Sequence, residues 1–301
     1  MASGQVVRTL ERNLEPLHRR LGDFNRRRLN PKLDVSDWQQ QLRQDCELQV
    51  VEGHFIEAER ALVRDGAARA PTQPHELLDW FEGLKEAEAA QDGRLFQWLA
   101  GEVSRDQMLW FLTQELSGED DLEDLYALTQ LKLPERPKLE MARNYWDEMG
   151  QGDASATRAR LLASLISDLS TEFLEPQAWE ILARANLMLG LAATRRYAFQ
   201  AVGALGVVEL TSAGPARCLS LGLRRLGFSS EASNYFSWRA RLSTLRSQVF
   251  NQGVILPLVA QDCRSATAIA EGALLRLVAD GRCLRLYERE LGFPLSAARL
   301  S

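Results

Sequence analysis

The sequence is poor in histidine. Of its 301 residues only His18, His54 and His75 are histidines, and all three lie in the first quarter. Any chemistry that draws its imidazole from the remaining three quarters is excluded. Cysteine is also sparse: Cys46, Cys218, Cys263 and Cys283 are scattered and form no C-x-x-C pair. No apolar h-region of a secretory leader opens the chain, so reduced thiols and a cytoplasmic setting are expected. No apolar run approaches the ~20 residues needed to cross a bilayer. The most apolar stretch, residues 197–210, is short and carries Gln200 and Glu209. A formal net charge of −5 offers no basic surface for nucleic acid. Neither a membrane nor a nucleic acid is therefore expected as a partner. Alternating β-branched runs are missing as well, and Gly and Pro fall between helical periods.

What remains is an all-α pattern in a composition, 46% hydrophobic and 26% charged, typical of a folded globular chain. Residues 5–25 carry a stripe of Val6, Val7, Leu10, Leu14, Leu17, Leu21 and Phe24, with Pro16 as a kink point. A second helix is expected over residues 37–64, capped by Ser36 and carrying His54 as a core or surface residue. Two prolines in residues 67–74 mark a boundary loop. Ser104–Gln107 reads as a capping box, and residues 119–124 as an acidic helix start. Pro134 and Pro137 are expected to hold the next helix back to residues 139–149. Further helices are expected over 154–169, 177–191, 197–210 and 216–226. A long one follows, capped by Ser229 or Ser230 and ended by Pro257. Residues 265–291 are read as two helices split at Gly281. The cysteines read as packing residues, and Asp262–Cys263 as a helix start. No phosphate-binding loop or Ser-x-x-Lys pattern occurs.

The stretch Asn234–Phe250, NYFSWRARLSTLRSQVF, places Arg239, Ser243 and Arg246 on one helical face. Tyr235, Trp238, Leu242, Leu245 and Val249 form an apolar stripe beside it, as expected of a central helix. Three other phrases stand in order with it: residues 144–162 (NYWDEMGQGDASATRARLL), 197–211 (YAFQAVGALGVVELT) and 257–277 (PLVAQDCRSATAIAEGALLRL).

Together these phrases resemble the haem-oxygenase-like di-iron oxidase superfamily, the iron-containing redox enzymes, over roughly residues 91–291. The resemblance implies a haem-oxygenase-like helical bundle at 91–291. Residues 1–90 would form an N-terminal helical extension packed on it, and 292–301 a tail. It also implies two non-haem iron ions as the family's cofactor. Glu148 matches the carboxylate of an N-x-x-D-E-x-G-x-G phrase, and Glu209 matches the Glu of a helix ending in ELT. The family's next ligand, a histidine, falls on Arg158. Its His-x-x-x-Asp-x-x-His set falls on Arg239, Ser243 and Arg246. Glu115 is the candidate for an additional carboxylate, with Glu123 behind it.

Iron needs carboxylates and neutral imidazoles with lone pairs aimed at the metal. Arginine has five donors, no acceptor, and keeps its proton. Iron binding is therefore expected to be lost, and no cofactor is expected. Arg158, Arg239 and Arg246 would instead pair with Glu148 and Glu209 in the old cavity. That leaves one excess positive charge, or none if Glu115 joins. The first functional expectation is a metal-free pseudoenzyme acting as a structural or regulatory partner, to another protein or to its own copies. The second is a metal-free protein or enzyme binding a carboxylate small molecule in the arginine-lined cavity. The third is iron-dependent oxygen activation with Glu148, Glu209, Glu115 and water. No catalytic residue is assigned.

Overall fold

The computed structural model describes residues 14–33, 36–116, 122–168 and 177–293, and all regular structure among them is helical. The first part of the N-terminal stripe, the start of the acidic run and the tail beyond Phe293 lie outside the described residues. In chain order the α-helices are α1 (Leu14–Leu29), α2 (Trp38–Ala68), α3 (Pro74–Gly101), α4 (Arg105–Leu116), α5 (Leu122–Thr129), α6 (Glu135–Glu148) and α7 (Arg158–Asp168). They continue as α8 (Trp179–Ala193), α9 (Ala198–Thr211), α10 (Ala213–Arg225), α11 (Ser230–Phe250), α12 (Leu256–Gln261) and α13 (Ser265–Leu291).

Local signals set many of these ends. Ser104 and Gln107 bond reciprocally at the head of α4, as a capping box requires. Ser229 Oγ accepts from the Ala232 amide to open α11. Proline is tolerated in a first turn because the amide it lacks has no intrahelical partner there. Pro137 accordingly sits inside the first turn of α6, which starts at Glu135 rather than at 139. Three other boundaries differ from the sequence reading. The second helix opens after Asp37 without a side-chain cap bond and runs on to Ala68. α13 passes through Gly281 unbroken, since one helical glycine costs only about 1 kcal/mol and Gly281 is buried. Pro257 does not end the long helix. A π-helical turn at Asn251–Ile255 joins α11 to α12. There the Leu256 amide bonds the Asn251 carbonyl five residues back, which accommodates the proline ring that an α-helix would drive into the carbonyl four residues back.

The division expected after residue 90 falls inside α3, which continues across it. Leu21, Phe55 and Ile56 of α1 and α2 share one apolar cluster with Val202, Phe250 and Ile269 of the later helices. A second cluster gathers Leu99, Phe111, Leu165, Leu223 and Tyr235. Along α11 the first cluster begins at Phe250 and the second ends at Ala240; Ser243 and Arg246 fall in the gap.

α9 and α13 cross at van der Waals contact of their backbones. A Cβ on Gly203 would overlap the Ile269 carbonyl, and one on Gly272 would overlap the Gln200 carbonyl. Both glycines are therefore required by the approach and not by a turn. Gly272→Ala is expected to destabilise the protein at or beyond the upper end of the about 1–3 kcal/mol typical of overpacking, because backbone cannot step aside. Urea denaturation against wild type reads this, and the exposed Gly83→Ala, with open space for its Cβ, is the control, expected to stabilise by about 1 kcal/mol through helix propensity alone.

Candidate functional site

The centre is built by five helices, α5, α6, α7, α9 and α11. α6 ends in Asn144, Asp147 and Glu148. A tight turn follows, with left-handed backbone at Gly150, Gln151 and Gly152. A side chain at Gly150 would press on the Ala156 carbonyl carbon and the Thr157 amide. This turn brings the start of α7, Arg158, back towards Glu148. Arg158 is fully buried although it opens a helix, where the macrodipole disfavours a cation. Two carboxylates offset that: its Nε lies 3.7 Å from Glu148 Oε2, and its Nη1 donates to Glu123 Oε2 at 3.5 Å.

Arg246 on α11 is the hub. Its Nη1 donates to Glu148 Oε1 and lies 3.7 Å from Glu209 Oε1. Its Nη2 donates to the Asn144 carbonyl at 3.1 Å, and its Nε to Asp147 Oδ2 at 3.4 Å. Glu209, on α9, also accepts from the Tyr126 hydroxyl of α5. Glu148, Glu209, Arg246 and Ser243 are all buried, at 4, 3, 5 and 7% exposure. Arg239 is half-buried, and its Nη1 donates to the Tyr235 hydroxyl at 3.4 Å.

Burial raises the pKa of Glu209; Arg246 and the Tyr126 hydrogen bond pull it back. The Arg246 guanidinium is held even more firmly protonated than usual, since the attraction of Glu209 and Glu148 outweighs its desolvation. Tyr126 is pushed well above the ordinary phenol range by burial and by the Glu209 charge, so it is a hydrogen-bond donor throughout the accessible pH range. The free space among Glu148, Glu209, Arg239, Ser243 and Arg246 is only about 10 Å³, the room of one water at most.

Five of the residues expected together, Glu148, Arg158, Glu209, Ser243 and Arg246, do meet here, and Arg239 stands at the edge. Glu115 does not join them. It accepts from Arg184 Nη2 at 2.9 Å and from the Tyr287 hydroxyl, in a separate polar cluster with Asp280. The additional carboxylates at the centre are Glu123, which accepts from Arg158, and Asp147, which accepts from Arg246. Asp147 and Tyr126 are additions that the sequence reading did not select. Asp147 stands next to Glu148 in the quoted phrase; Tyr126 had no signal beyond being a tyrosine in an apolar helix. Leu245 and Val249 are 70% and 48% exposed, so the apolar stripe of α11 leaves the core after Leu242. His54 is exposed. His18 is a core residue packed against Phe55 and Trp179, its pKa lowered to about 4 by burial and then by Arg282.

The separate cluster carries its own charge imbalance. Glu88 on α3 has its pKa raised to about 8, first by burial, then by repulsion from Asp280 and Asp92, with Arg276 opposing. Asp92 is raised to about 6 for similar reasons. The folded state thus holds a proton on Glu88 that the unfolded chain releases near the ordinary glutamate value of 4.5. The contribution of Glu88 to stability therefore falls as pH rises from that value through about 8. Glu88→Gln is expected to raise the melting temperature at about pH 8.5 and to change it little at about pH 4.5, as scanning calorimetry at the two pH values would read.

At the centre, Arg246→Met would strip Glu148 and Glu209 of their shared cation. A loss of about 3–5 kcal/mol is expected near neutral pH, partly recovered towards pH 5 as Glu209, whose pKa burial already raises, takes up a proton. Chemical denaturation at both pH values measures it, and adding Glu148→Gln to Arg246→Met should restore part of the loss at neutral pH.

No curated protein matches the chain. The model of the iron-containing redox enzyme family, which is haem-oxygenase-like, matches residues 109–281. That span covers more than half the chain and contains α5 to α12 whole, and with them Glu123, Glu148, Arg158, Glu209, Arg239, Ser243 and Arg246. The all-helical bundle agrees with it, and the chain belongs to the haem-oxygenase-like iron-containing redox enzyme family.

Proposed function

We propose that this chain is a metal-free member of its family, a pseudoenzyme that serves as a structural or regulatory partner protein. One observation carries the reading: the Arg246 guanidinium lies between Glu148 and Glu209, bonded to the first and 3.7 Å from the second. The family implies two iron ions, and the residues at this centre do not fit them. Arg158, Arg239 and Arg246 supply donors and permanent positive charge, with no lone pair for a metal. Ser243 adds only a hydroxyl. Among the described residues no three His, Cys, Asp or Glu side chains converge as metal ligands. Glu148 Oε2 and Glu209 Oε2 are buried without a hydrogen-bond partner among the described residues, but two oxygens beside three guanidinium groups are no ligand set for two cations.

The centre's own chemistry supports a holding role. Buried carboxylates left alone cost several kcal/mol each. A forked, charge-assisted arrangement around Arg246 satisfies most of that requirement and ties α6, α9 and α11 together. The partner role draws its support from the surface. Leu139 and Trp146 on α6, with Leu245 and Val249 on α11, are large apolar side chains at about half exposure or more on two neighbouring helices.

Anaerobic loading with ferrous iron, followed by desalting and metal analysis, is expected to leave no stoichiometric iron. Two iron atoms per chain with di-iron absorption would defeat the proposal. Its register has a separate check. The combination Arg158→His, Arg239→His, Ser243→Asp and Arg246→His is expected to gain at least partial iron binding. A folded quadruple variant that takes up no iron would show that these positions do not stand where the family holds its ligands.

A further inference from the structure

α2 reaches beyond the bundle that holds it. Its first buried residue is Leu48, and from Trp38 to Glu47 only Gln41 and Asp45 are even half-buried. These opening turns also lack a side-chain cap bond. So short a stretch of helix gains little from propensity and depends on packing an apolar face. Such a face is present, and no described residue buries it. Trp38, Leu42 and Val50 are 58%, 55% and 60% exposed, and Cys46 is exposed between them.

Trp38, Leu42, Cys46 and Val50 stand four residues apart. They form one ridge, of the kind that interdigitates with a like ridge when two helices cross at about 50°. The even spacing makes the ridge symmetric about residue 44. Turned end for end against a copy of itself, it sets Trp38 opposite Val50 and Leu42 opposite Cys46. The charges beside it are self-complementary in the same sense. Arg43 and Glu47 are exposed, one turn apart on one flank of the ridge, and neither has an ion-pair partner among the described residues. A two-fold contact uses the same patch on both chains. In an antiparallel pair that flank meets its own copy, so Arg43 of each chain stands over Glu47 of the other. The bundle lies at the C-terminal end of this arm, and antiparallel pairing places the two bundles at opposite ends.

We propose that a second copy of this chain covers the ridge, and that the protein is a two-fold dimer whose α2 arms cross antiparallel. The ridge lies outside residues 109–281, which the family model matches, and on a different helix from Leu139, Trp146, Leu245 and Val249. It goes beyond the metal-free reading and does not rest on it: iron uptake would leave the dimer standing, and a monomer would leave the iron result standing.

Sedimentation equilibrium of the full-length chain under reducing conditions tests the pairing. A monomer–dimer equilibrium with a micromolar Kd is expected, because a contact confined to a few helical turns is smaller than the usual area of about 800 Å² per partner. Leu42→Glu, at an exposed position, should weaken the dimer about 100-fold with circular dichroism unchanged. Arg43→Glu should weaken it about tenfold, as two exposed ion pairs lost together allow, and Arg43→Glu with Glu47→Arg should recover most of that loss. Leu245→Glu should leave it unchanged. The two Cys46 residues would be offset by about 6 Å along helices about 8–10 Å apart, so a short bismaleimide should join the chains, and should fail to do so in Cys46→Ser. A chain that stays monomeric at about 200 µM, or that binds vesicles of anionic lipid as a monomer, would overturn the proposal. So would a dimer that Leu42→Glu leaves intact, one that Leu245→Glu dissolves, or an Arg43→Glu defect that the double swap does not restore.

Discussion

Two carboxylates inside a helical bundle must be neutralised or protonated, and the middle of this protein is arranged around that requirement. Glu148 and Glu209 come from helices distant in sequence and point at one small space. Desolvation favours the protonated form of Glu209. Arg246 opposes this by offering its nitrogens to Glu148, Asp147 and the Asn144 carbonyl while standing next to Glu209. The effect is mechanical as well as electrostatic: each carboxylate is fixed by a group on another helix. Arg158 adds a second cation from α7, and Tyr126 a neutral donor from α5. A buried ion pair is weak evidence of net stabilisation against an apolar core. Its value here is orientation, since only one packing of α5, α6, α7, α9 and α11 satisfies all these groups at once.

The backbone contact of α9 and α13 gives the second constraint. Gly203 and Gly272 let the two helices approach until carbonyl oxygens occupy the space of the missing side chains. α9 carries Glu209 to one side of this crossing, and α13 carries Arg276 and Asp280. The closed centre is thus framed on one side by this rigid pair. Arg239 lines both the tight space at Glu209 and the larger cavity beside it.

Much of this could be read from the chain. The spacing of Arg239, Ser243 and Arg246 needs only helical periodicity, and Glu148 and Glu209 stand out as acids in phrases with family spacing. The failures have physical causes. Glu115 and Glu123 are both acids near helix ends, and nothing in one sequence says that Tyr287 and Arg184 claim the first while Arg158 claims the second. Leu245 and Val249 continue an apolar period that the bundle does not cover, because periodicity reports a face and not what packs on it. Pro257 looked like a stop because a proline forbids the α-helical bond, whereas a π turn offers another way through.

That π turn has a consequence in angular terms. An α-helix advances about 100° per residue, so one extra residue in a turn rotates everything downstream by about that angle. Before the turn, Ser243, Arg246 and Phe250 face inward; continued at α-helical pitch, that face would next present Pro257 and Gln261. After it, Leu258 and Val259 are the buried residues and Gln261 is exposed. Asn251–Ile255 therefore works as a phase shifter: it lets one continuous rod aim its arginine at the carboxylates and, a few residues later, its aliphatic side chains at the apolar core.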